Sequence, residues 1–203
     1  SVLTKAELDR IAEICNANNV KLCSDEIHCD LILEEGKQHI PAGRESNLAE
    51  NSVTLMAASK TFNIAGLGTS FAIIPNRQLR QAFTNAAAGI VPWVTVLGLA
   101  ATEAAFTQCD EWHQQQLTYL RENRDMVFNT VNSIDGLKML KADATFLAWV
   151  DASGLGVENV QQWAEEKGVG PSPGIDFHKA DHFRINFGCS KEMLQDILQR
   201  LAS

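Results

Sequence analysis

Long apolar runs are missing from this sequence. No stretch approaches the roughly 20 residues that a membrane-spanning helix needs, so no membrane span is expected. No basic-then-apolar leader opens it, so no signal peptide is expected either. Excess positive charge is missing too. Against 25 Asp and Glu stand 17 Lys and Arg, a formal net charge of −8. General nucleic-acid binding rests on cations that neutralise phosphates, and an anionic membrane surface selects the same cations. Neither partner is expected. Cysteine is sparse: Cys15, Cys23, Cys29, Cys109 and Cys189 form an odd, scattered set without a Cys-x-x-Cys pair. Such a set reads as reduced, buried thiols of a cytoplasmic protein. His28 stands between Cys23 and Cys29 without zinc-type spacing. His178 and His182 have His-x-x-x-His spacing but flank a loop-to-strand boundary, so no metal is expected there. No internal repeat and no low-complexity segment is visible.

What is present is ordinary for a soluble globular chain: 203 residues, 45% apolar and 21% charged. That length suits one large domain or two small ones. Thr4 to Glu7 fits a capping box, followed by Leu8, Ile11, Ala12 and Cys15 at helical spacing, and Asn18-Asn19 ends the helix. Val20–Ser24, Val53–Ala58 and Thr69–Ile74 read as buried strands, the last closed by Pro75. A polar loop punctuated by Gly36, Pro41 and Gly43 lies between the first two. Asn76 can cap a helix carrying Leu79, Ala82 and Phe83. From Gly98 to about Ile134 the pattern is helical, and Asp135-Gly136 marks a turn. Thr145–Val150 and His182–Phe187 read as strands, and Glu158–Lys167 as a helix stopped by Gly168. Residues 168–174 read as loop, and Ser190 caps a last helix. In the strand at 182–187, Phe183, Ile185 and Phe187 share one face and leave Arg184 and Asn186 on the other. The four Trp residues, Trp93, Trp112, Trp149 and Trp163, are expected to be mostly core. Together these elements predict an α/β layer with a mostly parallel sheet, then a smaller α+β domain starting near residue 100.

In a parallel layer, ligands collect beyond the carboxyl ends of the strands, where Asp25 and Lys60 both fall. Taken singly, each has a plainer reading. A strand-end Lys is usually a solvated charge, and an Asp after a strand usually caps a turn. Arg184 alone would be a surface ion pair worth roughly 0–1 kcal/mol.

The blocks around these residues change the weighing. Ser59-Lys60-Thr61-Phe62-Asn63-Ile64-Ala65-Gly66-Leu67 resembles the segment that carries the Schiff-base lysine in fold-type I pyridoxal-phosphate (PLP) enzymes of the aminotransferase class I/II family. Ser24-Asp25-Glu26-Ile27-His28-Cys29-Asp30-Leu31, Thr145 to Asp151 and Phe183 to Gly188 are similar to further blocks of that family, in the family's order. The resemblance is strongest to the branch of cystathionine β-lyases and related carbon–sulfur β-lyases. His28 stands where aminotransferases usually have Tyr, and His39-Ile40-Pro41 is typical of the branch. Gly68 stands eight residues after Lys60, where most aminotransferases place a phosphate-binding Arg.

The resemblance implies a PLP cofactor and a role for each residue. Lys60 would hold PLP and shuttle the substrate α-proton, which requires an amine of lowered pKa. Asp25 would pair with the ring nitrogen. His28 would lie beside the ring, and Ser59 and Thr61 would donate to the cofactor phosphate. Arg184 would grip the substrate α-carboxylate with a bidentate fork. It also implies a partial PLP-binding large domain over 1–100, a small domain over 101–203, and a cytoplasmic homodimer acting on a thioether amino acid. Family members are about twice as long, with an Asn-Pro-x-Asn-Pro-x-Gly motif just before the segment matching Ser1–Thr4, so the chain is expected to be a fragment that is weak or inactive alone. The implied reaction is β-elimination to a thiol, pyruvate and ammonia. An aminotransferase and a non-catalytic regulatory binding protein are the alternatives.

Overall fold

The computed structural model describes residues 1–44 and 48–203. The described chain divides into two compact units, Ser1–Ile32 with Gly36–Gln114, and Leu33–Glu35 with Gln115–Ser203. The division falls inside a continuous helix, where the sequence offers no loop to mark it.

The first unit opens with α1 (Lys5–Ala17). Its capping box is formed: Glu7 N–H donates to Thr4 Oγ1, and Thr4 N–H donates to the Glu7 carboxylate at 2.7 Å. Three strands follow, β1 (Leu22–Asp25), β2 (Ser52–Met56) and β3 (Phe71–Ile73), in the order β1-β2-β3. β1 pairs parallel to β2, with Asp25 opposite Leu55, and β3 pairs antiparallel to β2. Only the central strand is continuously buried, from Ser52 through Thr54. β1 and β3 alternate between half-buried and exposed residues, as strands with one face covered and one open do. Leu22 packs with Ile11 against Ala12, Cys15 and Leu48, fixing α1 to the sheet.

Asn76 caps α2 (Arg77–Ala87) by accepting from Leu79 N–H at 2.9 Å, but none of the apolar residues of α2 is buried. The predicted helical region is two helices, α3 (Val96–Gln108) and the long α4 (Asp110–Val131), broken at Cys109. The expected core tryptophans are not core: Trp93 is 98% exposed, Trp112 and Trp149 are exposed, and Trp163 is half-buried. Nor are the thiols uniformly buried. All five cysteines are free, Cys15 is buried, and Cys23 is exposed because it sits on the outward side of β1.

The second unit holds β4 (Leu147–Asp151), α5 (Val160–Glu166), β5 (Ser172–Pro173), β6 (His182–Asn186) and α6 (Lys191–Ala202). Its sheet is antiparallel in the order β4-β6-β5. Residues 168–174 are therefore not all loop. A two-residue edge strand lies there, at a place where a proline needs no ladder partner for its missing N–H. Ala148, Val150, Phe183 and Ile185 are buried on the inner face, and Leu194, Leu198 and Leu201 of α6 and Val127 and Val131 of α4 are buried as well. Phe183 and Phe187 are fully buried, and burial of each stabilises the fold by about 2–3 kcal/mol. The opposite face of the sheet carries Trp149 and Arg184. Among the described residues no helix is long and apolar enough to cross a membrane.

Candidate active site

Because β1 and β2 run parallel, their carboxyl ends lie at the same edge of the sheet, and two predicted residues are set there. Asp25 is the last residue of β1, and its Oδ1 accepts from Ile27 N–H at 3.2 Å, turning the chain into the next segment. Lys60 follows β2 in a tight turn. Phe62 N–H donates to the Ala58 carbonyl at 2.9 Å, Ile64 N–H donates to the Ser59 carbonyl at 3.1 Å, and Asn63 takes φ 55°. The turn leaves Lys60 exposed, Ser59 half-buried and Thr61 fully buried. Thr61 Oγ1 has no hydrogen-bond partner among the described residues. His28 is half-buried, and its carbonyl accepts from Leu31 N–H at 3.0 Å.

Three features that hold this edge escaped the sequence reading. Phe62, two residues past Lys60, packs against Phe106 (5.8 Å between centroids), Trp112 (6.1 Å) and His113 (5.6 Å). His113 Nε2 donates to the Asp30 carbonyl at 2.8 Å. The lysine turn and the Asp25–Leu31 segment thus share one aromatic support, which His113 ties to Asp30 across 83 positions of sequence. Glu26 is the third feature. It is 4% exposed, and its carboxylate accepts from His39 Nε2 (2.7 Å), Ala42 N–H (2.9 Å) and Ser24 Oγ (2.9 Å). This gives His39-Ile40-Pro41 a physical purpose: the histidine ties the polar loop to the residue after Asp25.

Burial alone would raise the pKa of Glu26, but the bonds from His39, Ala42 and Ser24 outweigh it and leave the carboxyl below its ordinary 4.5. A depressed carboxylate contributes stability that is present above the unfolded value and is lost as pH falls through the folded one. Melting temperature followed from pH 7 to pH 3 should therefore fall on the acid side of about 4.5 in the native chain. Glu26→Gln should start lower and show a flatter acid limb, and parallel curves would refute this account.

Gly68 ends the turn at residues 65–67 with φ +59°, the left-handed region. The arginine that aminotransferases place here would be strained in this backbone by roughly 1–2 kcal/mol.

Arg184 lies in the second unit, at the centre of the outward face of its sheet. Trp149 is its cross-strand partner on β4 and Ser172 its partner on β5. Arg184 Nη2 donates to Ser172 Oγ at 3.3 Å, and its guanidinium carbon sits 4.7 Å from the centroid of Phe177. Nε is buried without a partner, and Arg184 forms no ion pair among the described residues. A guanidinium with no carboxylate beside it is a ready anion receptor. Asp151, Asp181 and His182 come within 4.8 Å of one another nearby. Their contacts are accounted for within the protein, since His182 Nδ1 donates to Asp181 Oδ1 at 2.7 Å and Asp151 Oδ1 accepts from Ser153 N–H at 2.9 Å.

Residues 1–201 match the model of the family "Aminotransferase class I and II". The chain belongs to that family. It is 35% identical to cystathionine beta-lyase PatB of Bacillus subtilis, covering 98% of this chain and 53% of that protein. Its fold superposes on the solved structure of OvoB with a TM-score of 0.97 at 46% identity, over 99% of this chain and 53% of that one. Cystalysin of Treponema denticola, solved with a pyridoxal 5'-phosphate cofactor, has a TM-score of 0.91 at 30% identity, again over 99% and 53%. The chain therefore spans about half the length of the curated relatives it matches. The family expected from the blocks around Asp25, Lys60 and Arg184 is the one found, and mixed α/β architecture accompanies it.

Proposed function

We propose that this chain carries the lysine, the ring-pairing carboxylate and the carboxylate-binding arginine of a PLP-dependent carbon–sulfur β-lyase. The observation that supports the reading best is the shared carboxyl edge of β1 and β2, which bears both Asp25 and Lys60. The donor set fits the cofactor: an exposed primary amine without an ion pair among the described residues, and a carboxylate on the same edge. The buried, unpartnered Thr61 hydroxyl and Ser59 flank the amine and stand as the candidate phosphate donors, with His28 beside the ring.

When bound, PLP supplies an electron sink for the charge left on the substrate Cα. The protein's own residues do the rest. Lys60 Nζ would hold the cofactor and, when free, would accept the proton from the substrate Cα. Asp25 would keep the ring nitrogen protonated by offering a carboxylate to it. Arg184 would donate to the α-carboxylate of the amino acid in a two-pronged contact that lysine cannot reproduce. With that sink in place, a thiolate would leave from Cβ, and water would convert the remaining three-carbon fragment to pyruvate and ammonia. The reading includes a thioether amino acid as substrate, a homodimer in the cytoplasm, a cofactor-binding domain over 1–100 and a small domain over 101–203. Amino transfer is the competing chemistry, and it would show a strict requirement for a keto acid.

Borohydride reduction in the presence of PLP, followed by peptide mapping, tests the assignment. The expected product is a pyridoxyl adduct on the peptide containing Lys60. An adduct confined to another lysine would remove Lys60 from its role.

A further inference from the structure

The surroundings of Arg184 go beyond a lone guanidinium. Its charge lies over the face of Phe177, at 4.7 Å, and Trp149 meets Phe177 edge to face at 5.5 Å. His182, held by Asp181, lies against Trp149 at 5.3 Å. Phe177 and Trp149 are 44% and 37% exposed, too open for their main purpose to be filling a core. Strand register puts Trp149 and Ser172 on either side of Arg184, and the turn over Gly174–Phe177 brings the Phe177 ring above it.

We propose that Phe177 is a positioning residue for Arg184, holding the guanidinium plane ready before any carboxylate arrives. The proposal rests on the reading of Arg184 as the substrate-carboxylate receptor. An unrestrained arginine loses rotamer freedom when it clamps a ligand, whereas one already stacked and bonded has lost it on folding. The ring attracts the cation through its quadrupole without neutralising it, so the charge stays available to an anion. A carboxylate at this position would quench the charge instead. Ser172 Oγ fixes the in-plane rotation through Nη2. Nε is buried, so an incoming carboxylate meets the guanidinium from its Nη edge. The ligand class is an α-amino acid presenting its carboxylate to that edge.

The test has two arms. The first measures the ¹⁵N relaxation of Arg184 Nε in the ligand-free chain. The native side chain should be rigid, Phe177→Leu mobile, Phe177→Tyr restored to rigidity by its ring, and Ser172→Ala intermediate. A native Nε that is already mobile, or one unchanged in Phe177→Leu, overturns the proposal. Phe177 is half exposed, so these variants should fold, and unchanged circular dichroism verifies that they do. The second arm measures the affinity of the PLP-loaded protein for L-alanine and its KM for L-cystathionine. Phe177→Leu should weaken both by about 3- to 10-fold with kcat little changed. If Arg184→Lys weakens binding and Phe177→Leu does not, positioning by Phe177 fails while Arg184 keeps its role. If Arg184→Lys binds as well as the native protein, the carboxylate reading itself fails.

Discussion

Lys60→Ala should lower the rate of pyruvate release from L-cystathionine by at least about 1,000-fold in PLP-supplemented protein, with no keto acid added. The size follows from the two tasks assigned to one amine. Losing a positioned proton acceptor alone costs about 10²–10⁴ in rate, and losing the covalent anchor adds to it. Lys60→Arg separates charge from nucleophilicity. It keeps a cation in the turn from Ser59 to Ile64, yet arginine stays protonated and cannot attack a carbonyl carbon. It should be as inactive as Lys60→Ala. Both variants should fold normally, since Lys60 is exposed and its turn is closed by the backbone bonds Phe62–Ala58 and Ile64–Ser59. Activity within tenfold of native in Lys60→Ala would end the lyase reading. A full biological effect from that variant would instead favour a role through protein contact.

Gly174→Ala should destabilise the second unit by about 3–5 kcal/mol. A Cβ at residue 174 would lie 2.1 Å from the carbonyl oxygen of Lys179 and 2.2 Å from that of His182. Both are backbone atoms, so no side chain can swing aside. The turn over Gly174–Phe177 would have to open, although Lys179 N–H donates to the Gly174 carbonyl at 2.9 Å and closes it. At roughly 2–4 °C per kcal/mol for a chain of this size, the melting temperature should fall by about 6–20 °C. The same opening would carry Phe177 away from Arg184, so amino-acid affinity should fall with stability. A melting temperature within about 2 °C of native would show that the turn can rearrange without cost.

Much of this protein is legible in the order of its residues. Thr4 with Glu7, Asn76 and Ser190 announce helix starts through local hydrogen bonds, and each makes the cap expected of it. Alternation in the strand at 182–187 separates Phe183 and Ile185 from Arg184 by geometry alone. The blocks around Asp25 and Lys60 are contiguous in sequence, so they point to their family without any fold. Burial is the quantity such patterns judge least well. Trp93 and Trp112 look like core residues by composition, yet both are exposed, since exposure depends on which other segments arrive to cover them.

The sequence by itself determined the helix caps, the inward and outward faces of β6, and family membership, because those depend on neighbours a few residues away. Tertiary structure alone decided that β3 runs antiparallel to β2, that His113 supports the Asp30 segment, that Glu26 binds His39, and that Phe177 faces Arg184. Each of those contacts joins segments that meet only when the chain folds back on itself, and residue spacing carries no record of where a distant segment will lie.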